Sequence, residues 1–176
     1  MSSLSNQFIK STILKLLGAI GSEKEINKYI EKFSSPEQRF AVIKVGGSVI
    51  ENDLENLISS LVFLNQVGLK PVILHGAGPM LSAALEEKKI DFSFIDGQRV
   101  TSLEVRDVAY SVFKETNKRI VDALEAQGTK AQGLISNIFE CTLADPDLGY
   151  VGSIQSIDIK LVNEVLELDS IPVIAP

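Results

Sequence analysis

Apolar residues along the chain fall into two periods. Short runs rich in branched side chains occur at 40–43, 71–74 and 171–175. Elsewhere apolar positions recur every three or four residues, as in Leu54, Leu57, Ile58, Leu61 and Leu64. The runs predict strands buried on both faces, and the second pattern predicts amphipathic helices. We therefore expect a strand at 40–45, a helix near 52–67 ended by Gly68, a strand at 71–75 and a helix from Pro79. Residues 90–100, which contain Asp96-Gly97, read as a short irregular or hairpin stretch. Thr101-Ser102-Leu103-Glu104 has the form of a capping box and opens the longest helix, which ends before Gly128. Strands follow near 131–135 and 138–143, then a turn at Asp145-Pro146-Asp147-Leu148-Gly149. A helix starting at Ser156 or Asp158 leads to a last strand at 171–175. Strands alternating with helices define an α/β class: a mainly parallel sheet with helices on both faces.

The pattern changes near residue 36. Phe8, Ile9, Ile13, Leu16, Leu17 and Ile20 recur at helical spacing, and Ser22-Glu23-Lys24-Glu25 opens a second helical stripe of Ile26, Tyr29, Ile30 and Phe33. Ser34-Ser35-Pro36-Glu37 breaks it. Residues 1–36 thus read as an N-terminal helical extension and 37–176 as the core module. The first 22 residues carry no acid and only Lys10 and Lys15 as side-chain charges. This composition overlaps with a transit peptide, although it has no arginine.

Composition narrows the chemistry. With 176 residues, 45% of them hydrophobic, the chain can bury one domain's core. A net charge of −6 argues against nucleic acid or an anionic membrane as partner. No apolar stretch approaches the roughly 20 residues that cross a bilayer. A soluble, cytoplasmic protein is expected, or a mitochondrial one if residues 1–22 are a transit peptide. Cys141 is the single cysteine and lies in an apolar run, so a buried structural thiol is expected. With one histidine, His75, and one cysteine, no metal site is expected.

Two strands end in glycine loops: Lys44-Val45-Gly46-Gly47-Ser48 and His75-Gly76-Ala77-Gly78-Pro79. Glycine lets a ligand approach the backbone, and a following helix start offers N–H groups to an anion. Lys44 can neutralise a transferring phosphoryl group, or be a solvated lysine beside a tight turn. His75 is read as structural, its ring hydrogen-bonded to fix the loop. Neither loop is a Walker loop, and Gly76-x-Gly78 has Leu81 where a dinucleotide fingerprint needs glycine. Arg99, between Asp96-Gly97 and the capped helix, can clamp a carboxylate or be one more surface cation.

These segments, with Asp96-Gly97-Gln98-Arg99-Val100-Thr101, resemble the amino-acid kinase family in order and spacing, and within it the N-acetylglutamate kinases. Gly149-Tyr150-Val151-Gly152 and 171–176 look like its later landmarks. The resemblance covers about 37–176 and implies the family's N-terminal, amino-acid-substrate lobe. It implies ATP-dependent phosphorylation of the γ-carboxylate of N-acetyl-L-glutamate in arginine biosynthesis, with Mg²⁺ arriving with the nucleotide. Lys44 would be catalytic, Gly46, Gly47 and Gly78 would bind phosphate, and Gly76, Ala77 and Arg99 would bind substrate. A homo-oligomer and arginine as inhibitor are also implied. Ala77 departs from the family's three-glycine loop and requires a negative φ there. The alanine form and the helical extension resemble the kinase domains of the bifunctional synthase/kinase branch. The chain stops before the family's nucleotide lobe, so little activity is expected of it alone. The alternative is a non-catalytic arginine-sensing and oligomerisation domain like that of N-acetylglutamate synthases, which has no need of Lys44.

Overall fold

The computed structural model describes residues 40–66 and 69–176. In chain order its elements are β1 (Phe40–Val45), α1 (Gly47–Asn52), α2 (Leu54–Gln66), β2 (Lys70–His75), α3 (Gly78–Glu87), β3 (Phe94–Ile95), β4 (Gln98–Arg99), α4 (Leu103–Ala126), β5 (Ala131–Leu134), β6 (Phe139–Leu143), a 3₁₀ turn (Pro146–Leu148), β7 (Gly152–Ile157), α5 (Ile159–Glu167) and β8 (Ile171–Ile174). The expected extension at 1–36, its helices and Gly68 lie outside the described residues.

The apolar runs form one parallel sheet in the order β1-β2-β8-β5. Alternate side chains of these strands enter two cores, because successive residues of a strand face opposite sides. Val45, Ile73, Ile171 and Val173 pack with Ile50 of α1, Ile58 and Leu61 of α2, and Ile120 and Leu124 of α4. Val72, Leu134 and Ile174 pack on the other face with Ile138 and with Val165 and Leu166 of α5. Helices therefore cover both faces, as the α/β pattern requires. Strand β8 is buried along its whole length and sits between two partners. Its Pro172, which has no N–H, is tolerated there because pairing with β2 begins only at Val173. A third cluster joins Leu81 and Leu85 of α3 to Val105 of α4.

Several boundaries differ from expectation. The helix expected near 52–67 is α2, and a separate short helix, α1, precedes it, starting directly at Gly47 and ending before Asp53. Ser102, one residue after the expected cap, caps α4, its Oγ accepting from Val105 N–H at 3.2 Å. Asp158 caps α5 in the same way. Strand β7 lies where no strand was expected. It is exposed along its length, so no apolar alternation marks it. It pairs antiparallel with β6, and this hairpin overturns the buried assignment of Cys141: the thiol is exposed. In the run 138–143 only Ile138 is buried, because the hairpin is a two-stranded ribbon outside the main sheet. Among the described residues no helix is long and apolar enough to cross a membrane.

Candidate functional site

Both glycine loops leave the same end of the sheet, because β1 and β2 are parallel neighbours with Val45 opposite His75. The ladder runs on into the second loop, where Gly76 N–H donates to Val45 O at 2.8 Å. The loops then touch. A Cβ on Gly47 would lie 2.8 Å from Pro79 Cδ and 3.0 Å from Gly78 N, so only glycine lets α1 start this close to α3. The remaining loop glycines are uncrowded. A Cβ on Gly78 would meet nothing within 4 Å, and one on Gly46 or Gly76 only ordinary contacts. Protein packing therefore requires Gly47, while the space over Gly46, Gly76 and Gly78 is left open. Ala77 adopts φ −143° at the N-cap of α3 and is buried. The negative φ explains why alanine is accepted in this loop.

Lys44 is exposed on β1, and its ladder partner is Leu74. It has no hydrogen bond or ion pair among the described residues. Arg99 sits across the β3–β4 hairpin from Phe94. The hairpin turns through Asp96 and Gly97, both at positive φ (49° and 79°), which is the geometry of a type I′ turn. The Arg99 Nη2 donates to Ser82 Oγ of α3 at 2.7 Å. Its Cζ lies 4.3 Å from the ring centre of Phe92 and 4.7 Å from that of Phe94. Nη1 is buried and lacks a hydrogen-bond partner among the described residues. Burial lowers the guanidinium pKa from its usual value, but an arginine remains charged in any case. The structure thus brings Lys44, Gly46, Gly47, Gly76, Ala77 and Gly78 to one sheet end, and ties Arg99 to the helix that starts at that end.

His75 closes β2 and is 1% exposed. Asn117 of α4 donates through Nδ2 to Val173 O at 2.8 Å and contacts His75 Nε2 at 3.2 Å. A carbonyl can only accept, so the amide nitrogen must face Val173, and its second N–H then points at Nε2. The imidazole is neutral with its proton on Nδ1, which lies 3.5 Å from Gly76 O. Burial pushes its pKa below the ordinary 6.5. Stability from the neutral ring is therefore complete above about pH 6.5 and is lost as the pH falls toward the folded pKa. The stability of the wild type relative to His75→Gln should shrink between about pH 7 and 5 in denaturant titrations. A constant difference would contradict the buried neutral ring.

Asn117 and Ser82 were not singled out in the sequence. Each is one polar residue on a helix, and no local pattern shows which way it points.

The fold recurs in solved structures. One is that of smu.665 from Streptococcus mutans, with TM-score 0.69 and 28% identity over 78% of this chain and 58% of that one. Another is an N-acetylglutamate synthase from Neisseria gonorrhoeae, whose 22% identity and TM-score of 0.68 show a shared fold. It is matched over 78% of this chain and 33% of its own. Residues 39–176 match the amino acid kinase family, and the chain belongs to that family. Among relatives, an acetylglutamate kinase of Xanthomonas campestris is 41% identical over 157 residues, 88% of this chain and 37% of the relative. The mitochondrial protein arg11 of Schizosaccharomyces pombe is 38% identical over 167 residues, 94% of this chain and 19% of the relative. The chain therefore spans well under half the length of these relatives.

Proposed function

We propose that this chain supplies the amino-acid-substrate side of an N-acetylglutamate kinase, which transfers a phosphoryl group from ATP to the γ-carboxylate of N-acetyl-L-glutamate in arginine biosynthesis. The observation that carries this reading is the buried, unpartnered Nη1 of Arg99. A desolvated donor without an acceptor costs about 1–3 kcal/mol, which an incoming carboxylate would offset. The relatives named acetylglutamate kinase support the same substrate.

Each residue then has a task. Arg99 receives the α-carboxylate, and backbone at Gly76 and Ala77 lines the substrate side. Gly46, Gly47 and Gly78 admit phosphate to the backbone. The uncrowded space over Gly46 and Gly78 fits a phosphate, which no side chain there would obstruct. Lys44 places its ammonium against charge that builds up on the transferring group. The attacking carboxylate is already ionised near neutral pH, so no protein base is needed. That agrees with a His75 whose Nε2 is occupied by Asn117. ATP supplies the phosphoryl group and Mg²⁺ accompanies it.

Self-association, arginine as inhibitor and a cytoplasmic location belong to this reading. A synthase of the same fold has been solved with L-arginine. Mitochondrial relatives support the other compartment.

The test is a calorimetric titration of the chain with N-acetyl-L-glutamate. Weak saturable binding is expected, and Arg99→Ala should weaken it about 10- to 100-fold, the range for a hydrogen-bonded charge. Unchanged binding in that variant would overturn the Arg99 assignment.

A further inference from the structure

The Arg99 side chain is long and on a two-residue strand, yet it is held on three sides. Ser82 Oγ accepts from Nη2 at 2.7 Å. Phe92 and Phe94 approach the guanidinium carbon at 4.3 and 4.7 Å, and the two rings meet edge to face at 84°. Among the described residues only the Nη1 side remains without a partner, and that nitrogen is buried. A purely structural arginine at this degree of constraint would be expected to use both terminal nitrogens.

We propose that Ser82, Phe92 and Phe94 are positioning residues, which orient the Arg99 guanidinium so that Nη1 meets the substrate carboxylate. This rests on the substrate reading of Arg99 given above.

Three features support it. Ser82 lies four residues after Gly78 on α3, so the two share a helix face. The hydrogen bond therefore draws the arginine toward the side of the helix where the second glycine loop opens. The hairpin register sets Phe94 opposite Arg99, so the turn at Asp96-Gly97 fixes one ring against the cation. Finally, a free arginine loses much rotamer freedom when it grips a carboxylate, and a guanidinium already held loses less. Ser82 touches no reacting atom and acts only through Arg99.

The experiment compares wild type, Ser82→Ala, Ser82→Thr and Arg99→Ala of this chain. Each is titrated with N-acetyl-L-glutamate and with N-acetyl-isoglutamine, whose α-carboxyl is an amide. Ser82→Ala should weaken N-acetylglutamate binding about 5- to 10-fold, as expected for one lost orienting hydrogen bond. It should leave the amide analogue unaffected and the melting temperature near wild type. Ser82→Thr keeps the hydroxyl and should restore binding. Nitrogen-15 spectra of the ligand-free chain provide a separate readout. The Arg99 Nη signals should be resolved in wild type, through slowed guanidinium rotation, and should collapse in Ser82→Ala. If wild type shows ordered Nη signals but binds no N-acetylglutamate, the substrate reading fails and takes the carboxylate role with it. If wild type binds, Arg99→Ala does not, and Ser82→Ala matches wild type in both readouts, the positioning role alone is overturned. An equal loss for the carboxylate and its amide would also overturn it.

Discussion

Lys44→Ala is expected to lower phosphoryl transfer about 10²- to 10³-fold, the usual effect of removing one preorganised charge stabiliser from a transition state. The fold should be untouched. Lys44 is exposed, and no described residue pairs with it, so its replacement should change stability by no more than about 0.5 kcal/mol. Affinity for N-acetylglutamate should also change little, because on the proposed reading the charge that Lys44 would meet develops on the transferring group rather than on the bound substrate. The measurement is the initial rate of ATP-dependent acyl phosphate formation, in whatever assembly of this chain turns over, beside a calorimetric titration. A rate independent of Lys44 would overturn its assignment as the charge stabiliser.

The second large effect falls on stability. Asn117→Leu should destabilise the chain by about 2–3 kcal/mol, read as a lowered denaturation midpoint. The leucine leaves His75 Nε2 buried without a donor and withdraws a bond from Val173 O. The site is also tight. Gly133 of β5 lies directly against Asn117 Oδ1, and a branched apolar side chain there has to displace its surroundings. Because His75 immediately precedes the second glycine loop, the same change should loosen the base of that loop and weaken substrate binding. The double variant His75→Leu, Asn117→Leu should cost less than the sum of the two, since removing both partners leaves no orphaned imidazole. Strict additivity, or a loss below about 0.5 kcal/mol for Asn117→Leu alone, would show that the buried amide does not join α4 to the sheet.

The local signals that predicted the fold were strong where burial and backbone chemistry coincide. The apolar runs became the strands of the parallel sheet because such strands are covered on both faces. Helix starts at Ser102 and Asp158 were legible to within a residue or two, since a short polar side chain before an apolar periodic run has few other uses. Signals failed where neither condition held. Strand β7 buries no side chain, so its residues carry no alternation, and Cys141 on the partner strand is exposed for the same reason. Helix α1 was invisible as a separate element because Val49 and Ile50 are its only apolar residues, too few to show a period.

The glycine loops, Lys44 and Arg99 could be found from the chain alone. Glycine at a strand end and an isolated cation beside it are local facts, and local facts survive without coordinates. The sequence determined the α/β class and the two glycine loops that follow β1 and β2. Only the tertiary structure decided that Gly47 packs against Gly78 and Pro79, and that β8 enters between β2 and β5. It also decided that Asn117 reaches His75 from 42 residues away, and that Ser82 and two phenylalanines hold Arg99. These are contacts between elements distant along the chain. Their geometry depends on how the helices settle on the sheet, which no periodicity within a single element encodes.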